Sequence, residues 1–335
     1  MAVLKLGVDF GTSHIAILKL NKGVVLQEPT IVALDAESSE LKVLEIGRNA
    51  KKMVGKASDK VALVSPVQEG TIKNIAVASE FLKACLLRVV GDEAPSRIDA
   101  VFSVPCGSTP EERNKLQEVA YNAGISNLQF VPAVIATALR EGWDITSSRS
   151  IMIVSIGGGN TDIGVIALSR IVEGCSVNIG GGLMDKITQE LIMESKGLEV
   201  GIMSAERIKK EVASLYSNDI STSDVSGIDV VTKTPRADKI SAKELNAAVQ
   251  GFYLTIVAAM QNLINLCSPD IVADLTENGA IVCGGDSKIL GLEQFLSKRL
   301  NIPVRVSEKP ELCTVLGLSE LIKNEELLCR VIREN

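Results

Sequence analysis

The sequence predicts an α/β protein built as two related lobes around a shared cleft. Strand-like and helix-like segments alternate along the chain. A strand–glycine loop–strand unit occurs twice, as VDFGTSHIAI near residue 8 and as VSIGGGNTDIGV near residue 154. A repeat at an offset of roughly 145 residues fits two units of common topology, each offering one hairpin to the space between them. With 335 residues, 46% of them hydrophobic, the chain is long enough for two cores. Lobe I is expected over residues 1–148, with a small subdomain at about 33–68, and lobe II over residues 149–335, with a small subdomain at about 183–245.

The elements follow in order. Leu4 to Leu20 reads strand, loop, strand, and Asn21-Lys22-Gly23 turns the chain into a third strand. Ile72–Val90 carries apolar residues at helical spacing, and Ala100–Val104 is a short strand ending at Pro105. Thr109-Pro110-Glu111-Glu112 is a helix start with a capping box, and Gly124 supplies the stop. Leu128–Val131 is a strand, and an Ala-rich helix runs from it to about Glu141. At Ser150 the plan begins again with strands Ile151–Ile156 and Ile163–Leu168. Helices are expected from Leu183, from Ser204-Ala205-Glu206-Arg207 and over Leu245–Cys267, with exposed strands between 217 and 242. Gly279–Cys283 is a buried strand leading through Gly284-Gly285-Asp286-Ser287 into a helix over Gly291–Leu300. Leu327, Leu328, Val331 and Ile332 share one face of a C-terminal helix, which is expected to pack on the domain or a neighbour.

Composition excludes several functions. The net charge is −6 and basic residues are scattered, so no direct nucleic-acid contact is expected. Seven cysteines without a CxxC pair suit reduced thiols in a cytosol. The single histidine, His14, leaves no room for a multi-histidine metal centre. MAVLKLGVDFG runs straight into a strand pattern, which reads as no signal peptide, and apolar runs are broken short of the roughly 18–20 residues that span a bilayer. A soluble, cytoplasmic protein is expected.

The glycine loops carry the chemistry. In Gly11-Thr12-Ser13, glycine removes the Cβ that blocks a phosphate, backbone N–H groups converge on an anion, and two hydroxyls add donors. Asp9 stands where it can hold a water of Mg²⁺. The Gly157–Thr161 loop and the Gly284–Ser287 turn complete an order of phosphate, phosphate, nucleoside.

That order, together with VPCGSTPEER, IGGGNTDIGVIAL, NIGGGLMDKI, AERIKKEVASLY and CSPDIVADLTENGAIVCGGDSKILGLEQFL, resembles the actin-like ATPase superfamily over nearly the whole chain, and within it the bacterial actin homologues of the MreB and MamK type. The resemblance implies the actin-like ATPase fold, with ATP or ADP and Mg²⁺ as cofactors. It implies that Asp9, Gly11, Thr12 and Ser13 meet the β-phosphate and the metal's waters, and that Gly157, Gly158, Gly159, Asn160 and Thr161 cradle the γ-phosphate. Glu206, Lys209 and Lys210 are implied at ribose and adenine, with an ordinary surface ion pair as the plain alternative, and Gly284, Gly285 and Asp286 behind the nucleoside. Gly180–Gly182 reads equally as a ribose-side loop or a plain turn.

Two positions depart from that pattern: Ser155 stands where the family has an acidic residue, and Val131 precedes Pro132 where it has glutamate. Asp9 and Asp162 remain as candidate catalytic carboxylates, with Gln129 and His14 as possible helpers. ATP binding is therefore expected to persist, with hydrolysis slow or lost. The implied partner is a second copy of the chain, in a head-to-tail filament, with cytoskeletal, organelle- or membrane-associated adaptor proteins. A non-polymerising regulatory protein and a small-molecule kinase of the same fold are the alternatives.

Overall fold

The computed structural model describes residues 3–93 and 95–335, so the reading placed on Met1 and Ala2 lies outside the described residues. Two five-stranded sheets share one plan. In the first, Val3–Phe10 pairs antiparallel with His14–Lys19, which pairs with Gly23–Pro29; Arg97–Val104 and then Asn127–Pro132 extend the other edge in parallel. In the second, Ile151–Ile156 pairs antiparallel with Thr161–Ala167 and that with Arg170–Val177, while Ala280–Cys283 and Val304–Val306 run parallel on the other edge. The sequence repeat is a repeat of topology.

Alternation sets what covers the first sheet. Leu4, Leu6 and Val8 face the helices Ile75–Val90 and Pro110–Asn122, where Phe81, Leu82 and Val119 meet them. Gly7 points the other way, and a Cβ there would lie 3.1 Å from Leu318 Cβ. Thr109 and Glu112 form the expected capping box. The helix expected to open at Ser204 starts earlier, at Ile202, because Gly201 turns the chain and Ser204 caps nothing.

The helix Ala242–Leu266 begins at a second capping box, Ser241 with Glu244. Its 25 residues suffice in length and composition to cross a membrane, yet Leu245, Val249, Ile256, Met260 and Leu263 sit in the core of the second lobe. Small sheets project from each lobe. One joins Val32–Asp35, Val43–Ile46 and Val61–Val64, and the other joins Leu198–Glu199, Thr222–Asp229 and Pro235–Ser241.

Two helices cross between the main sheets. Ala133–Arg140 leaves the first sheet and sets Val134 against Gly164 of the second. Cys313–Lys323 returns and lays Leu318 on Gly7. They touch closely, since a Cβ on Gly317 would fall 1.8 Å from Ala136 O, and the Thr137 and Thr314 hydroxyls are 3.2 Å apart. Although they follow the second lobe in sequence, both C-terminal helices lie against the first sheet. In the last one, Glu325–Glu334, Leu328 and Val331 are buried while Ile332 stays 37% exposed.

Candidate functional site

A cavity of about 360 Å³ lies beside the two hairpin loops and is lined from both lobes, by Asp9, Gly11, Thr12, Ser13, Gly157, Gly158 and Asn160 among others. The loops are built alike. Gly11 N–H bonds His14 O at 3.0 Å, and Gly157 N–H bonds Asn160 O at 2.9 Å. They also touch: a Cβ on Gly158 would lie 1.7 Å from Ser13 Oγ, and one on Gly159 2.5 Å from Thr12 Oγ1. Thr12 Oγ1 accepts the Gly70 N–H at 2.9 Å. Thr161 is fully buried and donates its hydroxyl to Ile179 O at 2.6 Å, so its side chain anchors the hairpin, while Asn160 Nδ2 donates to Ser176 Oγ at 3.1 Å.

Two carboxylates stand at the base, Asp162 buried and Asp9 half-buried. Asp9 accepts Ser103 Oγ–H at 2.7 Å, and its burial raises its pKa against that bond. Asp162 accepts the Cys106 N–H at 2.9 and 3.1 Å, tying the second hairpin to the first lobe. Burial lifts it to about 6, and the Cys106 bonds oppose that. Val131 is wholly buried, whereas Ser155 lines the cavity. Desolvation by the surrounding loops and the neighbouring Lys51 and Lys210 hold His14 below its ordinary value.

The third wall comes from the second lobe. Gly181 and Gly182 line the cavity at the N-terminus of the helix Gly181–Lys196, and their N–H groups bond Gly157 O and Gly158 O at 2.9 and 2.8 Å. The glycine run is therefore part of the site's wall. A Cβ on Gly181 would meet Asp286 Oδ2 at 1.9 Å, and Gly284, at φ 86°, lies against Ile156 O. Lys209 and Lys210 diverge despite adjacency. Lys209 is held half-buried between Asp185 at 2.8 Å and Asp286 at 2.7 Å, and Lys210 stays exposed, 2.6 Å from Glu206. Glu206 also reaches Lys51 of the first lobe at 2.9 Å.

Lys51, Ser103, Asp185 and Gly70 are absent from the sequence reading. Their partners lie far off in sequence and only the fold brings them together. Asp185 alone had a local signal, its place one turn into the helix that opens at the glycine run.

The sequence model of the MreB/Mbl protein family matches residues 3–330. The chain belongs to the MreB/Mbl family. It is 30% identical over 316 residues to the cell shape-determining protein MreB of Escherichia coli, covering 93% of this chain and 91% of that one. To the cell shape-determining protein Mbl of Bacillus subtilis it is 30% identical over 325 residues, covering 96% and 97%. Among solved structures, MreB5 of Spiroplasma citri bound to ADP superposes with a TM-score of 0.91 at 25% identity, covering 99% of this chain and 98% of that one. A MamK double helical filament superposes at 0.80 with 20% identity, over 96% and 99%, and shows the shared fold. This MreB/Mbl chain is thus an actin-like cytoskeletal protein of the bacterial type.

Proposed function

We propose that this chain binds ATP with Mg²⁺ in the cleft and stacks head to tail into cytoplasmic filaments that set cell shape or position organelles such as magnetosomes. ATP hydrolysis is slow or lost. The convergence of the two glycine loops on one cavity carries this reading, because a phosphate chain lying in it would meet backbone of both lobes with no Cβ in the way. The helix Gly181–Lys196 braces the second loop, its first two N–H groups bonded to Gly157 O and Gly158 O. Relatives support the ligand and the assembly: the Spiroplasma citri MreB5 structures hold AMPPNP and ADP, and the MamK structure is a double helical filament.

The cation fits through a single carboxylate. Among the described residues no group of three or more His, Cys, Asp and Glu side chains is placed to hold a metal by itself. Asp9 lines the cavity with one oxygen turned to Ser103, which suits a Mg²⁺ that keeps its waters and takes its remaining charge from phosphates. The ion would screen phosphate charge.

Glu206, Lys209 and Lys210 close the nucleoside side, with Gly284, Gly285 and Asp286 behind it. For hydrolysis a polar group must orient the attacking water. Val131 has none, Ser155 is short and neutral, and Asp162 is engaged with Cys106. Assembly joins one end of a subunit to the other end of the next, a contact that does not close on itself, and adaptor proteins link the filament to its cargo.

Electron microscopy and pelleting with ATP and Mg²⁺ test the assembly. Filaments that appear with ATP and are lost without nucleotide support it, and persistent monomers contradict it. The missing carboxylates at 131 and 155 also favour a second reading, a non-polymerising regulatory protein of the same fold, which the monomer outcome would select.

A further inference from the structure

Gly180, Gly181 and Gly182 lie pressed between the second phosphate loop and the Asp286 carboxylate. A Cβ on Gly180 would fall 2.6 Å from Gly157 O and 2.8 Å from Asn160 N, and one on Gly182 3.1 Å from Gly158 O. On the far side a Cβ on Gly181 would occupy the place of Asp286 Oδ2. Only residues without a side chain let these layers pack so closely. Asp286 is itself held, its carbonyl accepting the Tyr253 hydroxyl at 2.6 Å.

Lys209 closes the stack. Its Nζ donates to Gly181 O at 3.1 Å and to Asp286 Oδ1 at 2.7 Å, and it pairs with Asp185 Oδ1 at 2.8 Å. An ammonium has three N–H groups, and three acceptors of the protein surround this one. Burial opposes its charge, yet Asp286 and Asp185 outweigh burial and raise its pKa. Lys209 therefore keeps its proton and has no donor left for a ligand, although it lines the cavity. Gly181 is the relay. Its carbonyl accepts from Lys209 and its N–H goes to Gly157 O at 2.9 Å, with the Gly182 N–H to Gly158 O at 2.8 Å beside it.

We propose that Lys209 is a positioning residue that touches no nucleotide and instead fixes the second phosphate loop through the glycine run, setting the preference for a triphosphate over a diphosphate. Without the ammonium, Asp185 and Asp286 face each other as uncompensated, half-buried carboxylates, and Asp286 moves off Gly181. The glycine run then loses the contact behind it, and the Gly157 and Gly158 carbonyls lose their fixed donors. The first loop keeps its own bond, from Gly11 N–H to His14 O, and lies on the other lobe. A ligand that reaches only the first loop is little affected. One that also reaches the second loses a preformed seat.

The preference between nucleotides rests on the ATP-binding reading; the pinning of the loop does not. Full-length wild type and Lys209→Met, both nucleotide-free, are compared by hydrogen exchange read by mass spectrometry. The expected result is several-fold faster exchange in the variant across residues 180–184, where the Gly181 and Gly182 amides are bonded, with residues 11–17 unchanged. Calorimetric titration is then expected to show ATP affinity reduced several-fold more than ADP affinity. Lys209→Met with Asp185→Asn, which removes one of the facing charges, carries the same two expectations where the single variant does not fold. Unchanged exchange across residues 180–184 in a folded variant overturns the pinning. Equal losses of ATP and ADP affinity, or none, overturn the positioning role and reduce Lys209 to a structural charge partner. Wild type that binds neither nucleotide would instead refute the ATP-binding reading, and the exchange comparison would still decide the pinning.

Discussion

Glu206 reaches across the mouth of the cleft to Lys51, their charged ends 2.9 Å apart, joining a helix of one lobe to the small subdomain of the other. Burial opposes ionisation of Glu206, but Lys210 and Lys51 hold it at about 2, so the bridge is charged at every physiological pH. Its folded-state pKa is depressed. Its stabilisation is therefore complete above the ordinary carboxylate range and fades only as the pH falls toward 2.

A half-buried pair of this kind contributes about 1 kcal/mol to holding the cleft shut. Lys51→Ala is expected to speed release of a fluorescent nucleotide about fivefold, and added salt should speed wild type more than the variant. Stopped-flow displacement reads both, and equal salt dependence would contradict the bridge.

Asp162 predicts a pH dependence of opposite sign. Its folded pKa of about 6 stands above the ordinary 3.8, so the folded chain binds this proton more tightly than the unfolded one. The stability this gives is full below about pH 4 and is lost as pH rises through about 6, a change of about 3 kcal/mol. Asp162→Asn keeps an acceptor for the Cys106 N–H and should flatten that slope in urea titrations. Asp162→Ala orphans the N–H and should destabilise at all pH by about 1–3 kcal/mol.

Gly317 allows the crossing helices to touch. With its Cβ 1.8 Å from Ala136 O, Gly317→Ala must push them apart, at a cost of about 1–3 kcal/mol. Thermal unfolding should show a clear fall in Tm, and an unchanged Tm would mean the crossing is looser than described.

Ser155 faces the cavity, so Ser155→Asp adds a carboxylate where it can meet a cation's waters. Phosphate release is expected to be slow in wild type and at least several-fold faster in the variant. Wild-type turnover as brisk as that of an ordinary actin homologue would contradict the loss of hydrolysis.

The two lobes and their loops were legible because each depends on local pattern: apolar strands flanking glycine turns, and a capping box whose four residues are contiguous. Ser241 with Glu244 carries the same signature, and the helix opens there at Ala242, three residues before the expected Leu245. Pairings between distant segments were illegible. Nothing near Lys51 marks it as Glu206's partner, and Lys209 turns inward because Asp185 and Asp286 converge on it only in the folded chain. Asp162 looked free for a cation, yet the backbone of Cys106 meets its carboxylate once the first sheet is in place. The return of the last two helices to the first sheet has no local signal.

Calorimetric titration with ATP and Mg²⁺ is the most direct test of the site. Wild type should bind one nucleotide per chain, and Gly158→Val, whose side chain would occupy the place of Ser13 Oγ, should bind far more weakly while retaining its circular-dichroism spectrum. No saturable binding to wild type, or equal affinity in a folded Gly158→Val, would contradict a nucleotide held between the two loops.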